Sequence, residues 1–199
     1  MLIVSANEAC NILAEWHSGS ISAFVDAMNA KAEALGCEDT HFVNPSGIHD
    51  PDHYTSAWDL YLITKAAMEY PEFMEICDSA SATIPATNLS PERTLYTTNN
   101  LLSNWRVIGY RDKRAHGIKT GSTDAAGYCL SATAERDGME LIAVVLKAKT
   151  SEQRFESAKS LLNFGFANYT LTDVYPGQAL PPVDVLLGEQ DTVQPVLAQ

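Results

Sequence analysis

The chain has 199 residues, enough for one domain of ordinary size or one domain with a small appendage. Hydrophobic residues make up 46% and charged residues 19%, a globular composition that excludes a disordered chain. Thirteen basic residues against 25 acidic give a net charge of −12, a balance that argues against nucleic acid as a partner.

Met1-Leu2-Ile3-Val4 is too short for the apolar region of a signal peptide. The longest aliphatic run, Leu141 to Leu146, falls far below the ~18 residues of a membrane span. No anchor or export segment is expected here. Ala9, Ile12, Leu13 and Trp16 recur at helical spacing after Ser5-Ala6-Asn7, and Gly19 closes that first helix. A second helix carries Phe24, Val25, Met28, Ala32 and Leu35 on one face, with Gly36 past its end. Residues 38–55, with Pro, Gly, Asn, Asp and three of the five histidines, read as a long irregular loop. Ser56, with Asp59 three residues later, is a capping-box-like start for a third helix bearing Leu60, Ile63 and Ala67. That helix must stop before Pro71, and a short helical piece from Glu72 to Cys77 follows.

From about 80 to 116 the pattern is mixed, with turn chemistry at Ser90-Pro91. Gly127 to Ala134 and Leu141 to Ala148 read as strands joined at Arg136-Asp137-Gly138, a hairpin signal. Thr150 and Gln153 cap a helix bearing Phe155, Ala158 and Leu162, expected to end at Gly165. Residues 1–169 then form one domain. After Tyr169 the composition turns to Pro, Val, Leu and Asp, and 170–199 reads as the beginning of a β-rich domain. Helices and strands are segregated along the chain, so the expected class is α+β with an antiparallel sheet.

Cys10, Cys37, Cys77 and Cys129 lie far apart, with no CxxC or CxxH spacing for zinc or a redox pair. In His49-Asp50-Pro51-Asp52-His53 the proline prevents a regular helix that would align the two histidines, so this reads as a polar loop. Neither metal nor cofactor is expected. Two motifs remain. Lys119-Thr120-Gly121, followed by Ser122 on a strand, offers a cation, a hydroxyl, room for a ligand strand beside the glycine, and a backbone N–H that can face an oxyanion. Ser5-Ala6-Asn7 at a helix start either caps the helix or supplies a proton-relaying hydroxyl and an amide for a substrate.

Together, SxN at a helix start and KTG on a strand are two of the three elements of the β-lactamase and penicillin-binding-protein signature. Further stretches agree in order: Thr40-His41-Phe42-Val43-Asn44-Pro45-Ser46-Gly47, His53-Tyr54-Thr55-Ser56-Ala57-Trp58-Asp59, Thr98-Asn99-Asn100-Leu101-Leu102, Ala126-Gly127-Tyr128 and Arg154-Phe155. From Met1 to about Tyr169 the chain resembles the D-alanyl-D-alanine carboxypeptidases among the low-molecular-mass penicillin-binding proteins. The resemblance implies a truncated β-lactamase/transpeptidase-like domain, and removal of the terminal D-alanine of peptidoglycan stem peptides through a serine acyl-enzyme. It also implies β-lactam antibiotics as ligands of the intact parent, and a place in the cell envelope.

Carried onto this chain, the resemblance makes Ser5 the proton relay and Asn7 the contact to the substrate amide. Lys119 polarises the relay and attracts the terminal carboxylate, Thr120 hydrogen-bonds it, Gly121 leaves room for the ligand, and the Ser122 N–H is an oxyanion donor. Some relatives have an arginine near Thr98 for the carboxylate; with threonine there, Arg154 is a weaker candidate for that role. The family's nucleophile lies in an S-x-x-K motif, yet none of the seven lysines here has a serine three residues before it. The chain is therefore read as a C-terminal portion without its nucleophile, inactive alone. With the nucleophile helix and N-terminal strands left out, Leu130 and Val144 are expected to be partly uncovered. A non-catalytic peptidoglycan-binding pseudoenzyme and a β-lactamase-related hydrolase remain as alternatives, although class A β-lactamases read S-D-N where this chain has Ser5-Ala6-Asn7. The coding sequence upstream of Met1 separates a truncated enzyme from a pseudoenzyme.

Overall fold

The computed structural model describes residues 1–172, 183–184 and 192–193. α1 (Asn7–Ser18) ends at Gly19, which takes φ 79° and donates its N–H to the Glu15 carbonyl. α2 (Ile21–Ala34) starts at Ser20, whose hydroxyl accepts the Ala23 N–H. The stripe expected to bury α1 points outward instead. Ile12 and Trp16 are 65% and 81% exposed, while Ala14 is the buried residue of the helix. Periodicity groups residues on a face but does not say which face turns inward; here the better-covered side runs through Cys10, Ala14 and Ser18.

α3 (Ala57–Met68) is capped by the Ser56 hydroxyl, which accepts the Asp59 N–H. The reciprocal half of a capping box is absent, because the Asp59 carboxylate turns instead to Thr40 and to the Asp39 N–H. α4 (Pro71–Asp78) begins with Pro71 in its first turn, where a missing N–H costs nothing. β1 (Ser81–Ile84) and β2 (Arg93–Tyr96) form a small antiparallel pair, Ser81 opposite Tyr96, within the stretch whose pattern was mixed.

The main sheet has three antiparallel strands in chain order: β3 (Ala115–Thr123), β4 (Gly127–Arg136) and β5 (Met139–Ala148). Asp137 and Gly138, at φ 54° and 80°, make the β4–β5 turn with the left-handed pair that suits strand twist. α5 (Ser151–Asn168) is capped by Thr150, which accepts the Gln153 N–H, while the Gln153 side chain accepts the Lys149 N–H. It covers one face of the sheet. Phe155 and Ala158 pack with Leu130, Ala132, Val145, Ala148, Leu101 and Leu102, and Leu162 and Phe166 pack with Ala134 and Ala143. Leu130 is thus only 2% exposed, which corrects the expectation that it is partly uncovered; Val144 is half-buried. On the opposite face, α3 lies against β5 and β4 and is tied to β4 through Thr64 and Ser131, whose hydroxyls are 2.8 Å apart.

α5 also runs past the expected stop at Gly165. A Cβ there would stand 2.5 Å from Leu141 Cδ1, so this glycine serves close approach of helix to strand and not termination. The chain divides into Met1–Tyr169 and Thr170–Gln199. In the second unit, β6 (Val183–Asp184) pairs antiparallel with β7 (Thr192–Val193). The reading of 170–199 as the opening of a β-rich domain otherwise lies outside the described residues. Among those described, no helix is long and apolar enough to cross a membrane.

Candidate active site

Ser5 does not cap α1. Ala6 occupies the N-cap position without a side-chain hydrogen bond, and Ser5 sits in the preceding turn at φ 60°, its N–H donated to the Met1 carbonyl at 2.9 Å. That left-handed turn leaves the Ser5 side chain free for β3. Lys119 Nζ donates to Ser5 Oγ at 2.9 Å, across 114 residues of sequence, and to the carbonyl of Thr120 at 2.6 Å. Burial pushes the Lys119 ammonium below the usual lysine value; the thiols of Cys10 and Cys77 oppose that shift and the Arg154 guanidinium adds to it. The lysine is thereby positioned as a donor to Ser5 and closer to releasing a proton than a surface lysine.

The cavity beside this pair has a volume of about 460 Å³. Ser5, Asn7 and Cys10 line it from the start of α1, and Lys119 to Thr123 from β3. Since β3 is the end strand of its sheet, its outer edge faces the cleft with no further strand paired to it among the described residues. A Cβ at Gly121 would meet nothing within 4 Å, so there is open room beside that residue. Ser122 and Gly121 are exposed, whereas Thr120 is 6% exposed, and its Oγ1 lies 2.6 Å from Thr98 Oγ1.

The third wall was not assigned from sequence. Pro45, Ser46, Gly47, Ile48 and His49 also line the cavity. Asn44 builds that loop: its Oδ1 accepts the Ser46 and Gly47 N–H groups at 3.2 and 2.7 Å, and its Nδ2 donates to the Ile48 carbonyl at 2.8 Å. Asn29 of α2 ties the loop's root with two 2.8 Å bonds, accepting the Phe42 N–H and donating to the Phe42 carbonyl. His53 Nδ1 accepts the Val43 N–H at 3.2 Å, and burial lowers its pKa, so the neutral ring is the form that fits. The signal available in sequence was the Asn44-Pro45-Ser46-Gly47 turn chemistry. It foretells a tight loop but not the cleft that the loop faces.

Arg154 stands apart from the other candidates. It is 8% exposed, stacked between the Tyr128 and Phe155 rings at 5.6 and 4.7 Å, and absent from the cavity lining. Its Nη1 donates to the carbonyls of Gly121 and Cys129 at 3.3 and 3.5 Å, and its Nη2 to Ser151 Oγ at 3.3 Å. The guanidinium therefore supports the β3 backbone from behind. Asn99 does the same further up the strand: it is 2% exposed, and its Nδ2 donates to the Gly117 carbonyl at 2.8 Å.

The described domain is α+β, helices packed on an antiparallel sheet, with Lys119 on the edge strand hydrogen-bonded to Ser5 ahead of α1. Residues 1–150 match the family described as D-alanyl-D-alanine carboxypeptidase, and the chain belongs to that family. It is 33% identical over 193 residues to D-alanyl-D-alanine carboxypeptidase DacF of Bacillus subtilis, covering 96% of this chain and 48% of that protein. To DacC of Escherichia coli it is 32% identical over 195 residues, covering 97% and 46%. Among solved structures, penicillin binding protein 5 from Haemophilus influenzae superposes with a TM-score of 0.79 at 32% identity, covering 97% of this chain and 54% of that one. Penicillin-binding protein D2 from Listeria monocytogenes, solved with cefotaxime bound, gives 0.71 at 35% identity, with 83% and 63% covered. The chain thus spans about half the length of the curated relatives it matches.

Proposed function

We propose that this chain carries the substrate-binding and proton-relay half of a serine D-Ala-D-Ala carboxypeptidase acting on peptidoglycan stem peptides in the cell envelope. The observation that carries this reading is the 2.9 Å hydrogen bond from Lys119 Nζ to Ser5 Oγ. Because the ammonium donates, the Ser5 hydroxyl keeps its own proton to give away. The attacking serine, supplied by an S-x-x-K segment, gives its proton to the lysine of that segment as its oxygen bonds to the penultimate D-alanine carbonyl carbon. As the C–N bond breaks, the Ser5 proton goes to the departing amine and Ser5 is reprotonated by the S-x-x-K lysine; water then releases the acyl group.

Asn7 holds the substrate amide, Thr120 and Lys119 take the terminal carboxylate, and the Ser122 N–H faces the oxyanion. Gly121 keeps the strand edge open. Arg154 acts through the Gly121 carbonyl and not on the substrate. β-Lactams, which present a carboxylate and a strained amide in the same positions, are the matching inhibitors.

Intact-mass spectrometry with benzylpenicillin tests the reading. The 199-residue chain, with no S-x-x-K, should gain no adduct. The same chain continued upstream through an S-x-x-K segment should gain one penicilloyl group on that serine. An adduct on Ser5 or any other serine of the 199 residues would overturn the relay role, and none on the longer chain would overturn the activity.

A further inference from the structure

Two hydroxyls meet in the wall of the cleft. Thr98 and Thr120 bring their Oγ1 atoms to 2.6 Å, so one of them donates to the other. Each hydroxyl has a single proton, and the direction of this bond decides what Thr120 offers the cavity. If Thr120 donates, its proton is occupied inside the wall and only lone pairs face a ligand. If Thr98 donates, the Thr120 proton is free to point into a cleft where the Lys119 ammonium already favours an anion.

Thr98 does not line the cavity; Thr120 does. The position of Thr98 is nevertheless fixed from several sides. Its N–H donates to the Ile3 carbonyl at 3.1 Å, in the segment that leads to Ser5, and its neighbours are anchored by the Thr97 N–H on the Ala80 carbonyl and Asn99 on Gly117. This one residue therefore bridges the Ser5 turn and the Lys119 strand. Resting on the function proposed above, we propose that Thr98 is a positioning residue: its hydroxyl donates to Thr120 Oγ1 and so holds the Thr120 O–H as a donor to the peptide's terminal carboxylate. No proton is transferred; the effect is to remove rotor freedom from a donor that must meet an anion.

The 199-residue chain is titrated by NMR with N-acetylated Lys-D-Ala-D-Ala, and with the same peptide ending in an amide. Thr98→Val should weaken the carboxylate peptide about five- to tenfold and change the amide peptide by less than about twofold. Thr98→Ser should restore the wild-type affinity. Thr98→Ala is measured in parallel, with the same expectation, should valine disturb the fold. Equal losses for both peptides, no loss for either, or a serine variant that behaves like valine would overturn the role of Thr98. If the wild-type chain binds neither peptide, the reading of the cleft falls and the inference with it.

Discussion

Lys119 reaches Ser5 and the Thr120 carbonyl at once, and no other lysine of the chain has a place in the cleft wall. Lys113 is exposed just before the same strand and serves as its control. In a polypeptide that includes the S-x-x-K segment, Lys119→Ala should lower kcat/KM on a D-Ala-D-Ala peptide by roughly 10- to 100-fold, the worth of one charge-assisted contact. Lys113→Ala should leave it near wild type, and comparable losses would remove Lys119 from the site. At this scale neither SxN nor KTG names a site by itself; the sequence offered them as a pair, and the structure brings Lys119 to Ser5. The placing of Arg154 was not legible, since a guanidinium aimed at a ligand and one aimed at a backbone carbonyl have the same letter. Its stacking between Tyr128 and Phe155 is visible only in three dimensions.

The elements that hold the site present their own tests. Asp59 is 1% exposed at the head of α3, and its carboxylate accepts the Thr40 hydroxyl at 2.7 Å and the Asp39 N–H at 2.8 Å, anchoring the start of the loop whose Pro45–His49 part walls the cleft. The Thr40 hydrogen bond, opposed by burial and helped by the backbone N–H groups, holds its pKa below the usual aspartate value. A depressed carboxylate stabilises the fold at pH values above its unfolded pKa of about 3.9, and that contribution is lost as pH falls through the lower native value. Thermal melts should therefore show Asp59→Asn clearly destabilising at pH 7, with the gap to wild type closing below about pH 4.

Gly127 opens β4 at φ 64°, and a Cβ there would stand 2.9 Å from the Ala148 carbonyl oxygen. Gly127→Ala should cost about 1–3 kcal/mol in urea unfolding, because both the left-handed backbone and the strand contact resist it. The β4–β5 hairpin and the Ser56 and Thr150 caps were readable because their signals are local: a two-residue turn, a hydroxyl three positions before an N–H. The outward face of α1 and the run of α5 past Gly165 were not, because both are decided by what packs alongside.

For the molecule as a whole, charge and cleft pull in opposite directions. The chain carries −12, yet Lys119 lines the cleft, so an anionic ligand there would meet a local cation on a protein of acidic net charge. Docking of such a ligand draws on short-range contacts more than on long-range steering, and salt should affect it weakly. The family resemblance was legible across residues 1–169 because whole stretches agree in order, while Thr98 and Thr120, 22 residues apart, become partners only through the fold. Because β3 has no strand paired to its outer edge among the described residues, beside Lys119, Thr120 and Gly121, a peptide lying there would join the sheet as an added strand, read by its own backbone amides. Recognition of that kind tolerates varied side chains along the peptide and fails when its amides are alkylated or its backbone is bent away from extension, so such a cleft would discriminate by main-chain shape before it discriminated by sequence.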